Sequence, residues 1–189
     1  MPKCTCDGVV QIGVHKIVER AMLPVRATGY SACYDVSACL HHEIIKVNGK
    51  PATKPKLYEN GTQITIFAGD RVLVPTGLIF TMPPSYKIAV YPRSGMAFNE
   101  GITVVNSPGT IDADYNRELF ILLVNLSPNA FVLKDGMRIA QIEIVPVITD
   151  RVSFNLIDMQ DVEDARKNFE NGQGISRLGG IGHTGTQKI

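Results

Sequence analysis

The chain has 189 residues, a little over the roughly 150 of a typical domain, so one domain with extra loops fits and two full domains do not. Hydrophobic residues make up 44% and charged residues 20%, which excludes a wholly disordered or fibrous chain, and the 17 Gly and 11 Pro suit the many turns of an all-β fold better than a helical bundle. Lys and Arg number 19 against 18 Asp and Glu, a net charge of +1, so no global field draws the protein to nucleic acid or an anionic membrane and an anionic ligand must be held locally.

From the N-terminus, MPKCTCDGVVQ carries no apolar stretch of signal-peptide length, and the longest apolar runs, such as Phe120 to Val124 before Asn125, fall far short of the roughly 18 residues a membrane span needs. The expectation is a soluble, cytoplasmic protein. Cys4, Cys6, Cys33 and Cys39 are too few and too clustered for a secreted disulfide framework and are read as reduced thiols; Cys4-x-Cys6 lacks the second Cys/His pair a zinc site requires. Short β-rich segments follow between turn signals, at about 9–18, 62–68, 71–80, 86–91, 102–106, 118–126, 129–133 and 137–148. In Gln63-Ile64-Thr65-Ile66-Phe67 and in Arg138 to Ile144, apolar and polar residues alternate, as in strands with one buried and one wet face. A sandwich or barrel is predicted.

Two segments break this rhythm. Residues 41–61, rich in Lys, Pro and Gly with an Asn48-Gly49 turn, read as a hairpin or loop inserted at the surface. There His41 and His42 have no obvious carboxylate or Cys partner at metal spacing and are read as exposed imidazoles. Residues 158–170 read as a solvated helix with acidic residues leading and basic ones following. The final stretch 172–189 holds six glycines and little that can build a core, so it is expected to be a mobile arm. The domain reading is therefore a single β domain over 1–171, with surface inserts at about 41–61 and 149–171, followed by the arm 172–189.

Four spaced segments and the arm make sense together as a nucleoside triphosphate site. Ser31-Ala32-Cys33-Tyr34-Asp35-Val36 sets an acid among small and apolar residues at a strand end. Pro92-Arg93-Ser94-Gly95-Met96-Ala97 combines a cation, a hydroxyl and a Gly-bearing turn that can open a short helix, whose backbone N–H groups suit phosphate oxygens. Gly109-Thr110-Ile111-Asp112-Ala113-Asp114-Tyr115 places two acids on one side if its backbone is extended. Asp135-Gly136-Met137-Arg138-Ile139-Ala140-Gln141 is a turn and strand that put Arg138 and Ala140 on one face and Gln141 on the other.

In order and spacing these segments, with Gly-Gly-x-Gly-x-Thr-Gly in the arm, resemble the five motifs of the trimeric dUTPase family over Ala32 to Gly185. The resemblance implies a jelly-roll-like β fold, a homotrimer whose three sites each draw on all three chains, and Mg²⁺-assisted hydrolysis of dUTP to dUMP and pyrophosphate, which keeps uracil out of DNA and supplies dUMP for dTMP synthesis. It assigns Asp112 as the carboxylate that orients and deprotonates the attacking water, and Asp35 as the acid associated through water with a metal held mainly by substrate phosphates. Gln141 would lie near phosphate and water, and Arg93, Ser94 and Gly95 would bind the triphosphate. Tyr115 would sit under the deoxyribose, leaving no room for a 2′-hydroxyl, while the turn from Asn106 through Gly109 and Thr110 to Ile111 would read the uracil edge by its backbone. Arg177, Gly180, Ile181, Gly182, His183 and Thr184 would form the part of the arm that closes over a neighbouring chain's nucleotide.

The sequence departs from the family pattern at Cys33 for a glycine, at Asn116-Arg117 where a basic or polar residue and then Gly is common, at Met137 for an Asp, and at Ile181 for the Phe that stacks on uracil, with Arg177 one residue nearer the Gly-Gly pair. Gly136-Met137 is also similar to the related dCTP deaminases, but their catalytic Glu aligns with Leu122 in an apolar strand, which cannot activate water. A binding or regulatory protein that keeps the nucleotide pocket and signals through its inserts is the rival of another class.

Overall fold

A computed structural model of the chain describes residues 9–42, 45–58 and 61–173. They fall into two compact units, one ending at Ile148 and one beginning at Thr149.

The first unit is built from antiparallel strands. β1 (Gly13–Lys16), β2 (Tyr34–Ser37), β3 (Ile45–Val47), β4 (Lys50–Thr53), β5 (Lys56–Tyr58), β6 (Gly61–Ile66), β7 (Arg71–Thr81) and β8 (Tyr86–Tyr91) precede a short helix, α1 (Ser94–Glu100). β9 (Ile102–Val104), β10 (Gly109–Ile111), β11 (Glu118–Asn125), β12 (Phe131–Lys134) and β13 (Arg138–Pro146) follow it. One sheet runs β4-β3-β7-β11-β9 with β1 on the far half of β7, a second runs β10-β8-β13-β2, and a third runs β12-β6-β5. This is the all-β architecture that the turn-rich composition and alternating segments predict, in the jelly-roll-like form that the family resemblance implies. The period-2 pattern explains the packing: Ile64 and Ile66 of β6, Val72 and Val74 of β7, Ile121 and Leu123 of β11 and Ile139, Ala140 and Ile142 of β13 all enter one buried core. Among the described residues no helix is long and apolar enough to cross a membrane.

The predicted Asn48-Gly49 turn is present, joining β3 to β4 with both residues at positive φ, 50° and 79°, the conformation a tight two-residue hairpin needs. Its first strand is woven into the main sheet against Leu73 and Val72 of β7, with Ile45 and Val47 buried, so this part of the 41–61 segment contributes to the core.

β7 bends at its centre. Pro75 has no N–H to give, and Gly77 takes φ 70°, where an added Cβ would lie 2.8 Å from the Ala21 side chain and 3.1 Å from Cys39 Sγ. Opposite this bend the β11 register shifts between Glu118 and Phe120, a bulge that frees the Gly77 N–H from the ladder; it donates instead to Glu118 Oε1 at 2.7 Å.

The second unit holds the predicted helix as α2 (Met159–Gln173). Asp158 caps it, accepting the Asp161 N–H at 3.0 Å while Asp161 accepts the Asp158 N–H at 3.4 Å. The helix continues beyond 170, so Arg166 and Lys167 lie in mid-helix and the last turn carries no basic residue; the expected charge complement at the C-terminal end is absent from this helix.

Candidate functional site

Asp35 is the centre of the site. It lies in β2, is only 3% exposed, and its backbone exchanges both hydrogen bonds with Val25, at 2.7 and 3.1 Å, which closes the outer edge of the strand. A carboxylate this buried requires partners, and three reach it: Arg93 Nε donates to Oδ1 at 3.2 Å, Gln141 Nε2 to the same oxygen at 3.2 Å, and Arg138 Nη1 to Oδ2 at 2.9 Å. Arg93 also donates through Nη1 to the Arg138 carbonyl at 3.1 Å. Three of the segments singled out in the sequence thus converge on one buried anion.

Gln141 stands directly opposite Asp35 in the β13–β2 ladder. Arg138 reaches the same carboxylate because the ladder shifts register between Arg138 and Ala140. Strict alternation would send Arg138 and Gln141 to opposite faces; the bulge at Ile139 restores Arg138 to the Asp35 side, correcting the expectation from spacing. Arg138 is accordingly a site residue that the motif contained but simple period-2 reading misplaced. The absence of the family's Asp at Met137 leaves the two guanidinium groups together all the same, because Asp35 holds both.

Arg93 is also the residue before α1, with extended φ −85° and ψ 123°. No side chain caps the first turn of that helix, so the N–H groups that begin at Ser94 and Gly95 are left to other acceptors. Both residues are exposed, and a Cβ added to Gly95 would meet nothing within 4 Å. The chain's own packing does not demand glycine there.

The third segment lies at the far edge of the same sheet. β10 pairs with β8, Gly109 facing Val90 and Ile111 facing Ile88; a Cβ on Gly109 would approach Val90 Cβ at 3.2 Å, so packing restricts this position. Asn106 and Thr110 are exposed and Ile111 half-buried. The strand ends at Ile111, and Asp112 and Asp114 sit in a turn in which the Tyr115 N–H donates to the Asp112 carbonyl at 3.1 Å. The backbone is not extended here, so the condition for the two acids to share a side is not met. Asp112 is exposed, and the Tyr115 hydroxyl donates to the Glu118 carbonyl at 3.0 Å, fixing the ring at the start of β11.

The strand registers set the distance between the two halves of the site. Asp35 is level with Gln141 and Tyr91, whereas Asp112 follows the level of Ile88. Three inter-strand steps of about 4.8 Å and four residues of about 3.3 Å separate them, about 19 Å in all. One chain therefore does not bring Asp112 to the Arg93 and Asp35 group.

A second cluster was not legible beforehand. Glu118 is 7% exposed and accepts His41 Nε2 on Oε1 at 2.9 Å and His42 Nε2 on Oε2 at 2.7 Å. This corrects the reading of the two histidines as exposed and unpartnered: His41 is only 11% exposed at its side chain, and the carboxylate lies 77 and 76 residues away in sequence, across the β7–β11 pairing. Burial pushes the Glu118 carboxyl up, but the N–H donors of His41, His42 and Gly77 outweigh it and hold the group below the usual carboxylate range. Cys33 and Cys39 are free thiols, as expected. Cys4, Cys6, and the arm residues Arg177, Gly180, Ile181, Gly182, His183 and Thr184 lie outside the described residues.

The dUTPase family model matches residues 60–177. The deoxyuridine 5'-triphosphate nucleotidohydrolase of Brucella melitensis biotype 2 is 44% identical over 124 residues, 66% of this chain and 71% of that protein; that of Rhizobium rhizogenes is 42% identical over 127 residues, 67% of this chain and 73% of that protein. Among solved structures, the dUTPase of Streptococcus mutans superposes with a TM-score of 0.56 at 28% identity, covering 77% of this chain and 98% of that one. A mutant dUTPase of phage phi11 of S. aureus, which coordinates a structural Mg(II) ion, gives 0.60 at 17% identity over 78% of this chain and 97% of that one, and shows the shared fold. The match over 60–177 and the identity to the two nucleotidohydrolases establish that the chain belongs to the dUTPase family.

Proposed function

We propose that the protein hydrolyses dUTP to dUMP and pyrophosphate in a site shared between chains of a homotrimer. The observation that carries the reading is the convergence of Arg93, Arg138 and Gln141 on the buried Asp35, a preformed cationic group beside the uncapped start of α1, in a chain of this family. Asp35 fixes one edge of each guanidinium. The remaining N–H groups, on side chains 29% and 48% exposed, are left for phosphate oxygens in a fork geometry that suits them. Open space over Gly95 favours close approach of a phosphate to the backbone.

Asp112 is the general base in this scheme. Its carboxylate takes a proton from water as the water oxygen bonds to the α-phosphorus; the bond from that phosphorus to the α–β bridging oxygen breaks, and pyrophosphate leaves. Gln141 orients phosphate or water, and Tyr115 supports the deoxyribose from a position its hydroxyl bond to Glu118 holds fixed. The separation of about 19 Å within one chain is the reason to place Asp112 and the Asp35 group of one site on different protomers, with the segment 174–189 of a protomer closing over the bound nucleotide.

The resemblance associates Asp35 with a hydrated metal. Both its oxygens are committed to guanidinium donors, so the described residues at Asp35 do not fit an ion held by the chain itself; Mg²⁺ belongs to this reading as part of the substrate, bound to triphosphate oxygens and offsetting their charge. Consumption of dUTP in this way keeps uracil out of DNA and yields the precursor of dTMP. The deaminase alternative is disfavoured by Leu122, which pairs with Leu73 within the β7–β11 ladder and offers no acid. Pyrophosphate release measured with dUTP, dTTP, dCTP and UTP, with and without Mg²⁺, tests the proposal: dUTP should be preferred over dCTP by up to about 10⁴-fold, and comparable kcat/KM for the two would overturn it.

A further inference from the structure

We propose that His41, His42 and Glu118 form a binding site for one divalent transition-metal ion, Zn²⁺ in first place, made of residues that the nucleotide reading does not use. Two imidazole nitrogens and a carboxylate lie within 4.8 Å of one another, a two-histidine, one-carboxylate donor set that suits Zn²⁺ and leaves a position for water. The nitrogens select against Mg²⁺, which prefers oxygen ligands.

The site is prebuilt where a metal site needs rigidity. Both histidines turn Nε2 toward the same carboxylate, at 2.9 and 2.7 Å, although they are adjacent in sequence; their rings lie 4.2 Å apart at 37°, and His42 rests 5.6 Å from the Phe120 ring. Glu118 is fixed from behind. The Gly77 N–H donates to Oε1 at 2.7 Å and Tyr115 holds the Glu118 carbonyl, the kind of outer support that orients a ligating carboxylate. Tetrahedral ligands at about 2.0–2.1 Å from a metal are about 3.3 Å apart. Opening the two present contacts by about half an ångström, and drawing the remaining ligand pairs in from within 4.8 Å to the same spacing, therefore admits the ion, and His42, 41% exposed at its side chain, has the freedom to move. On binding, each imidazole presents an unprotonated Nε2 and carries its proton on Nδ1 or releases it to solvent.

The place in the fold separates this site from the Asp35 half of the proposed chemistry, while the Tyr115 hydroxyl bond to the Glu118 carbonyl links it to the other half. Glu118 and Gly77 belong to the sheet containing β7 and β11, and His41 and His42 to the connection between β2 and β3, whereas Asp35, Arg138 and Gln141 belong to the sheet of β2, β8 and β13. Bound metal would tie the connection after β2 to the start of β11.

The test is titration of the full chain, freed of metal by chelation, with Co²⁺ as the spectroscopic probe, followed by Zn²⁺ competition. Expected is one Co²⁺ per chain with visible d–d absorption, no thiolate charge-transfer band, displacement by Zn²⁺, and a rise in melting temperature with Zn²⁺. In His41→Gln/His42→Gln, and separately in Glu118→Gln, Co²⁺ affinity should fall by at least about 10–100-fold. Absence of Co²⁺ binding by the unsubstituted chain, a spectrum dominated by thiolate charge transfer, or unchanged affinity in the variants would each overturn the proposal. These readouts need no nucleotide.

Discussion

Arg93 Nε lies 3.2 Å from Asp35 Oδ1, and this contact joins the residue that opens α1 to the edge strand of the second sheet. The carboxylate is 3% exposed while the guanidinium is 29% exposed, so Asp35 acts as the buried anchor and Arg93 as the working end. Asp35→Asn keeps the shape and loses the charge that holds Arg93 and Arg138 side by side. We expect the variant to fold with a stability loss of about 1–3 kcal/mol, below the cost of breaking a fully buried pair because both guanidinium groups keep access to water. KM for dUTP should rise at least about tenfold as the two cations separate. Thermal melting and steady-state kinetics check this; wild-type KM would show that the pair does not organise the phosphate site.

Cys33 offers a separate probe of the same region. Burial first, then the negative charges of Glu143 and Asp35, push its thiol up from the ordinary value. The thiolate is the nucleophile, so alkylation of Cys33 by iodoacetamide should be slow at neutral pH and still be accelerating where an ordinary thiol has reached its plateau. Site-resolved mass spectrometry of the labelled protein across pH 7 to 10.5 measures it. In Asp35→Asn one raising charge is gone, and the profile should move to lower pH.

Much of this fold is legible in sequence where the signal is local. The alternation in Arg138 to Ile144 and the Asn48-Gly49 turn each produce the element they predict, and the acidic lead of 158–170 marks within a residue the start of the helix that Asp158 caps. What escapes is settled by residues far apart in the chain. The bulge at Ile139 arises from pairing with β2 and moves Arg138 across the strand; the Glu118 partners of His41 and His42 are fixed only when β7 bends at Pro75 to Gly77. Adjacent histidines carry no periodicity that would point to a carboxylate so distant. The grouping of Arg93, Gln141 and Asp35 was accessible from motif order, whereas their register was not.

The glycine-rich segment gives a prediction that separates chemistry from folding. In the proposed reading, bound triphosphate offsets the roughly 1–2 kcal/mol per residue of backbone entropy that ordering a glycine-rich segment costs. Removal of the residues after 174 should leave melting temperature and oligomeric state unchanged while kcat falls sharply, because a closing segment excludes water and completes phosphate contacts without supporting the core. Ile181→Phe should tighten nucleotide binding by about 0.5–1.5 kcal/mol, the usual worth of an added aromatic contact. Full activity after truncation would show that the segment does not take part.

The two halves of the site allow a test of where one site begins and another chain ends. Asp112→Asn should fold, bind nucleotide and lose about 10²–10⁴ in kcat, since the amide keeps the shape of the side chain and cannot accept the proton from water. Asp35→Asn should be impaired for a different reason, the loss of its hold on Arg93 and Arg138. Asp112 is about 19 Å from that group by strand register, so a site confined to one chain would leave every chain in a mixture of the two variants defective. If Asp112 of one protomer serves the Arg93 group of another, mixed trimers formed by unfolding and refolding the two variants together contain sites in which both acids are intact. Measured at dUTP well below KM, activity of the mixture should then exceed that of either variant refolded alone, with a maximum near equal proportions. Simple averaging of the two activities at every ratio would mean that each chain completes its own site.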